Sequence, residues 1–163
     1  MTIWADADSL PSQIRAIILR RNGKSVPNSK PQSFIQVRFV SCKKLPESRK
    51  GDPSAFILVE QTPNAADTYI LEHAVSADIV VTRDIIFAEK ALQQKLFVLN
   101  DRGTIWTEET IKERISQRNY AAMLREAGVA SSSISAGISK QEIKNFADTL
   151  DKTIIASYKS ICS

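Results

Sequence analysis

Four aspartates, Asp6, Asp8, Asp67 and Asp84, carry the chemistry this chain can offer. The first two close the stretch Thr2-Ile3-Trp4-Ala5-Asp6-Ala7-Asp8, a short apolar run with β-branched and aromatic residues that reads as a strand. In an open α/β sheet, ligands collect beyond the carboxyl ends of the strands, and Asp6 and Asp8 fall there. Asp84 follows the wholly apolar Ile79-Val80-Val81-Thr82, and Asp67 lies in the first turn of a helix. A carboxylate at the rim of a core needs a cation, donors or water, because burying an unpaired charge is strongly unfavourable. Carboxylates converging from separate strand ends suit Mg²⁺- or Mn²⁺-dependent phosphoryl chemistry, in which the ion polarises phosphate and activates water. Each aspartate also has a structural alternative, save Asp6, which has no comparable one. Asp8 could cap the first helix, Asp84 the third, and Asp67 could face the dipole of the second. Asp78 precedes a strand instead of following one, so it belongs to the other end of the sheet and reads as structural.

The elements that must position these residues alternate. A first helix is expected from Pro11 to Asn22, with Ile14, Ile17, Ile18 and Arg21 at helical spacing and Gly23 as its stop. A polar loop with Pro27 and Pro31 leads to a strand over Phe34–Val40. The loop Ser41–Ser54 is long and basic, and a third strand is expected over Ala55–Glu60. Asn64 is a natural N-cap with Asp67 at N3, and Asp84 opens a helix from Ile85 to Lys95. Leu96–Asn100 is a fifth strand and Asp101-Arg102-Gly103 a turn. Thr107 caps the longest helix, ending near Ala127 with Gly128 as the stop. A Ser-rich linker, 130–137, precedes a capping box, Ser139-Lys140-Gln141-Glu142, and a last helix. This order predicts one α/β domain over residues 1–163, a core to residue 128 plus a C-terminal helix over 138–158. The architecture expected is a three-layer sandwich around a mostly parallel, five-stranded sheet.

Composition narrows the function. A chain of 163 residues, 43% hydrophobic and 25% charged, is that of a soluble globular domain. No apolar run reaches the roughly 18–20 residues of a membrane span, and the N-terminus lacks the basic n-region of a signal peptide, so a cytoplasmic protein is expected. One histidine and two cysteines argue against a zinc site and against a disulfide framework. No G-x-G-x-x-G or Walker A motif is present. A metal, if bound, must be a hard cation on oxygen ligands. From Ser9 to Pro46 there is no acidic residue, while Arg15, Arg20, Arg21, Lys24, Lys30, Arg38, Lys43 and Lys44 all fall there. A basic block beside a carboxylate cluster suits a polyanion; a solvated basic surface is the plainer alternative. On the long helix, Ile111, Ile115, Arg118 and Ala122 share a face, which puts Arg118 at the edge of a buried stripe. Arg118 and Arg102 are phosphate candidates, with snorkelling as the plainer reading of Arg118.

The segments taken together resemble the YaiI/YqxD family of small bacterial proteins, within the PIN-like nuclease superfamily. Its W-V-D-A-D-A-C-P start appears as Trp4-Ala5-Asp6-Ala7-Asp8-Ser9-Leu10-Pro11, and its D-A-A-D helix start as Asn64-Ala65-Ala66-Asp67. Its A-x-D-x-V-I-T-x-D-I-P-L-A segment matches Ser76 through Ala88, and its L-N/D-P-R-G turn Leu99-Asn100-Asp101-Arg102-Gly103. Its T-x-x-x-I-x-E-R-L-x-x-R-D stretch matches Thr107 through Arg114 and Arg118-Asn119. The resemblance covers nearly the whole chain. It implies a PIN-like sheet of order 3-2-1-4-5, with Asp6, Asp67 and Asp84 in an acidic cluster and Asp8 beside it. Three positions depart from the pattern: Leu10 replaces the family cysteine, Asn64 the first aspartate of D-A-A-D, and Ile86 a proline.

The function expected first is a Mg²⁺- or Mn²⁺-dependent phosphodiesterase acting on RNA, with DNA as the other nucleic acid. Asp6, Asp67 and Asp84 would be catalytic and, with Asp8, would hold the ion. Arg102, Arg114 or Arg118 would hold phosphate, and Thr82 or Asn100 would orient water or substrate. The alternatives are a module that binds RNA or a phosphate-bearing ligand without cleavage, and a protein-interaction domain whose aspartates are only caps.

Overall fold

The computed structural model describes residues 1–27, 29–30, 33–49, 51–128 and 137–163. The Ser-rich linker, Gly137 excepted, lies outside the described residues, as do Pro31 and Lys50 of the two basic loops.

The strands are β1 (Thr2–Asp6), β2 (Gln36–Ser41), β3 (Phe56–Leu58), β4 (Ile79–Val81), β5 (Phe97–Leu99) and β6 (Ile105–Trp106). The helices are α1 (Ser12–Leu19), α2 (Ala65–His73), α3 (Ile85–Gln93), α4 (Glu108–Glu126) and α5 (Lys140–Cys162). The sheet order is β3-β2-β1-β4-β5-β6, with the first five strands parallel and β6 antiparallel to β5. The expected order therefore stands, extended by one edge strand. β6 is only Ile105-Trp106, too short to show a period of two in the sequence.

β1 is central because it is apolar on both faces. Ile3 and Ala5 pack with Ile14, Ile17 and Ile18 of α1 and with Phe146, Leu150 and Ile154 of α5. Trp4 points the other way, toward Ala66 and Ile70 of α2, Phe87, Ala88 and Ala91 of α3, and Ile111 of α4. Side-chain alternation along one strand thus builds both cores and makes three layers. The last helix is pinned by its face and its ends. Arg21 forms a two-point pair with Asp151 at 2.9 Å, and the Ser139–Glu142 capping box closes its start. Gly103 is required where it stands: its φ is +83°, and a Cβ would meet the backbone of Asn145 in α5 at 2.8 Å.

Element ends differ from the expected ones. α1 stops at Leu19 and Arg21 leaves its stripe for Asp151. β2 runs one residue further than expected, and Phe34 joins only an isolated bridge to Ser25. β3 keeps three of the six expected residues: the 3-10 turn at Pro53–Ala55 takes Ala55, and the strand ends at Leu58, before Val59 and Glu60. Asn64 occupies the N-cap position of α2 but makes no capping bond; its φ is +59°, a left-handed conformation that asparagine tolerates. Of α4, only Ile111 is buried, and Arg118 is exposed instead of edging a buried stripe. Length explains this. The nine residues of α3, about 14 Å of helix, cannot cover the nineteen of α4, about 28 Å. No helix among the described residues is long and apolar enough to cross a membrane.

Candidate metal and phosphate site

The strand order reverses between β1 and β4: the chain leaves β1 toward β2 over one face and leaves β4 toward β5 over the other. A crevice opens beyond the carboxyl ends at such a reversal. Asp6 ends β1 and Thr82 directly follows β4, so both sit at this crevice. Thr82 Oγ1 donates to Asp6 Oδ2 at 3.2 Å and accepts from the Asp84 N–H at 3.0 Å. This hydroxyl, fully buried, fixes the side chain of Asp6 and the backbone of Asp84 together.

Asp84 caps α3, as the sequence suggests. Its Oδ1 accepts from Ile86 N at 2.8 Å and Phe87 N at 3.1 Å, and its Oδ2 takes neither bond. Asp8 does not cap α1, whose N-cap is Pro11. Its Oδ2 accepts from Cys42 N at 2.6 Å, a residue 34 positions away at the end of β2. Asp67 stands in the first turn of α2.

The electrostatics tie these residues into one group. Asp6 is 7% exposed. Burial pushes its carboxyl above the usual range, the Ser9 and Thr82 hydroxyls oppose this, and the charges of Asp8 and Asp84 add to the rise. Asp67 is pushed up to about 7, first by burial and then by the charges of Asp6 and Asp84, with Lys90 pulling the other way. Asp6, Asp67 and Asp84 come from three different elements, and the charge of Asp84 raises the carboxyls of both Asp6 and Asp67. Among the described residues, no three Asp, Glu, His or Cys side chains form a ready-made ion cage. The donor set nonetheless fits a hard cation: all oxygen, with an oxygen left over on Asp6, Asp8 and Asp84 after the bonds above. Mg²⁺ is commonly held by one or two carboxylates and keeps several waters, so it needs no full cage.

The remaining candidates fall into two groups. Asn100 Oδ1 accepts from Arg102 N at 2.9 Å and Thr104 N at 2.8 Å, so it builds the turn, and its amide NH₂ alone is left for a substrate. Arg102 reaches Glu142 of α5 at 2.6 Å and ties the turn to the last helix. Arg114 and Arg118 line a groove of about 370 Å³ on α4, with Gln117, Ala121 and Arg125 and with Ile85, the neighbour of Asp84. This groove gathers the phosphate candidates of α4, with the residue after Asp84 in its wall, and leaves Arg102 out.

Several residues of the site carry no local signal in the sequence. Arg15 of α1 donates to the carbonyls of Ala7 and Leu10, on either side of Asp8, and pairs with Glu47 at 2.9 Å. Arg83 pairs with Asp101, 5% exposed, at 3.3 Å, which draws that cation toward β5. Arg125 extends the arginine row beyond Arg118. The basic character of Arg15 is visible in the sequence; its contact with the Asp8 loop exists only in the fold.

Comparison with known proteins adds a family. The family model described as "Uncharacterized BCR, YaiI/YqxD family" matches residues 4–156. A "UPF0178 protein" of Treponema pallidum is 36% identical over 154 residues, covering 93% of this chain and 80% of that protein. Proteins of the same description in Treponema denticola and Syntrophobacter fumaroxidans are 34% and 35% identical. Each alignment covers 98% of this chain and 95% and 97% of the respective relative. No solved structure matches the chain.

Proposed function

The chain belongs to the YaiI/YqxD family, and from that starting point we propose that it is a divalent-metal-dependent phosphodiesterase, a PIN-like ribonuclease. What supports this most is the geometry at the crevice, where the Thr82 hydroxyl donates to Asp6 Oδ2 at 3.2 Å and accepts from the Asp84 N–H at 3.0 Å, with the carboxyl of Asp67 raised by burial and by the charges of both. Neighbouring carboxylates are answered by a held proton or by a cation, and an all-oxygen donor set suits a hard cation. Asp6, Asp67 and Asp84 would hold Mg²⁺ or Mn²⁺, with Asp8 in support. The ion, when bound, would polarise a phosphodiester oxygen and make water a better nucleophile.

The chain's own residues then have distinct tasks. Thr82 holds Asp6 in place through its hydroxyl. Asp84 keeps one oxygen on the helix and offers the other to the crevice. Arg15 braces the backbone around Asp8. Arg114, Arg118 and Arg125 line a groove that accepts the phosphates of an RNA strand leading to the crevice.

The test is Mg²⁺- or Mn²⁺-dependent cleavage of single-stranded and structured RNA by the wild type and by Asp6→Asn. Cleavage by the wild type that falls at least about a hundred-fold in Asp6→Asn supports the reading. Equal activity in both, or none in either with either metal, removes it. A second reading is favoured by the absence of a ready-made ion cage among the described residues: the same grooves bind RNA without cutting it. Binding that weakens steeply with salt but survives Asp6→Asn, with no cleavage, would select it.

A further inference from the structure

On the side of the crevice away from α4, the ends of β2 and β3 form a separate pocket of about 360 Å³. Its walls are apolar, from Leu45, Phe56 and Leu58, and Lys43 and Lys44 stand at it with the hydroxyl-bearing Ser41. That volume falls in the range of small-ligand sites, and apolar walls with a few polar groups are their usual make-up. The pocket adjoins the carboxylates through the backbone. Ser41 follows Val40, the partner of Asp6 in the sheet, and precedes Cys42, whose N–H holds Asp8.

The sheet edge supplies hydrogen-bonding groups as well. β3 is the outermost strand, pairing only with β2. The Val59 N–H donates to the Ser41 carbonyl, so Val59 and Ile57 turn their backbone groups inward. By the alternation of a parallel ladder, the N–H and C=O of Leu58 point outward, at a residue 66% exposed. A donor and an acceptor thus lie side by side against an apolar wall, with two cations at the rim.

We propose that this pocket is a nucleotide subsite, taking an unpaired base against Phe56 and Leu58 and its phosphate on Lys43 and Lys44. Every base offers donors and acceptors along its Watson–Crick edge and an apolar face, so the backbone of Leu58 and the pocket wall complement one without selecting its sequence. In a duplex that edge is occupied, so the pocket admits single strands or splayed nucleotides. A peptide added to the edge of β3 is the rival occupant. β3 has three residues, too few for an extended ladder, and lysines at the rim answer a phosphate, not a peptide backbone. The place of this subsite in a substrate path rests on the phosphodiesterase reading; its occupancy by a nucleotide does not.

The experiment is an amide-resolved NMR titration of the full chain with AMP, UMP, ribose 5-phosphate and inorganic phosphate, in EDTA so that no divalent ion takes part. Mononucleotides are expected to shift the Leu58, Val59 and Lys43–Leu45 amides, about ten-fold more tightly than ribose 5-phosphate. Lys43→Glu with Lys44→Glu is expected to weaken binding by about ten-fold while leaving the melting temperature unchanged, since both side chains are exposed. Leu58→Pro removes the outward N–H without breaking a ladder bond and is expected to weaken the base-dependent part. No mononucleotide shifts at the pocket would overturn the proposal. So would equal binding of inorganic phosphate, or an extended peptide binding there while nucleotides do not. RNA cleavage and mononucleotide binding, both measured on the wild type, separate the two readings. Nucleotide binding without cleavage sinks only the enzyme, and cleavage without nucleotide binding here sinks only the subsite.

Discussion

The two ends of one sheet treat the same side chain in opposite ways. At the amino end, Asp78 is 3% exposed and accepts hydrogen bonds from Thr2 N at 2.8 Å, Trp4 Nε1 at 3.0 Å and Val75 N at 3.2 Å. Its charge is answered, and it knits the first residues of β1 to the approach to β4. At the carboxyl end, Asp67 meets burial and the like charges of Asp6 and Asp84, and its proton is held up to about 7. Asp6 rises chiefly through burial, with the charges of Asp8 and Asp84 adding, against the hydroxyls of Ser9 and Thr82. The lesson is that burial alone does not mark a functional carboxylate. What separates the ends is whether the fold brings donors or further carboxylates to the buried charge.

The comparison breaks most easily at its structural end. Asp78→Ala leaves the Thr2 and Val75 N–H groups and the Trp4 indole without their acceptor. The indole is buried and the two N–H groups only partly so, and an unsatisfied buried donor costs about 1–3 kcal/mol, so a loss of about 2–4 kcal/mol is expected, read as a lower urea midpoint with unchanged slope. A loss under about 1 kcal/mol would show that water replaces the acceptor and that the amino end is not held as described.

At the other end the sign reverses. Asp67 holds its proton more tightly folded, at about 7, than at its ordinary 3.8. Below about pH 4 both states are protonated and the residue contributes nothing. Between about pH 4 and 7 the unfolded chain loses its proton first, and stability falls as pH rises; above about 7 the cost is complete. Asp67→Asn is therefore expected to raise the melting temperature at pH 8 by about 2–4 °C, the effect of about 1 kcal/mol in a chain this size, after allowing for water screening of a part-exposed group. At pH 4 it should change little. A variant that is less stable at pH 8 would mean that Asp67 is a structural residue like Asp78.

The smallest effect concerns the groove. Arg118 is exposed, so Arg118→Ala should leave the melting temperature within about 1 °C of wild type while lowering the salt dependence of RNA binding by about one phosphate contact. An unchanged salt slope would remove the groove from the RNA path.

The contrast between the ends was legible in the sequence because it follows from strand direction. Asp6 and Asp84 come after apolar runs and Asp78 before one, and a parallel sheet sorts them to opposite ends. The caps at Asp84, Thr107 and Ser139 were legible for the same reason, since a cap acts within three residues. Contacts across the chain were not. Asp8 reads as a helix cap until β2 brings the Cys42 N–H against it, and Arg102 reads as a free phosphate ligand until α5 brings Glu142 to it. The exposure of Arg118 depends on how far α3 extends beneath α4, which periodicity within α4 does not encode. Asn64 sits where a cap belongs and takes a left-handed turn without a capping bond.

The central claim is that Asp6 and Asp67 share one cation, and Mn²⁺ binding followed by electron paramagnetic resonance near neutral pH tests it most directly. Wild type, Asp6→Asn and Asp67→Asn would be measured beside Asp148→Asn, an exposed aspartate of α5 away from the crevice. We expect one Mn²⁺ per chain in wild type and in Asp148→Asn, and binding at least about ten-fold weaker in each of the other two, with circular dichroism unchanged in all four. Mn²⁺ bound equally by all four variants, or by none, would contradict it.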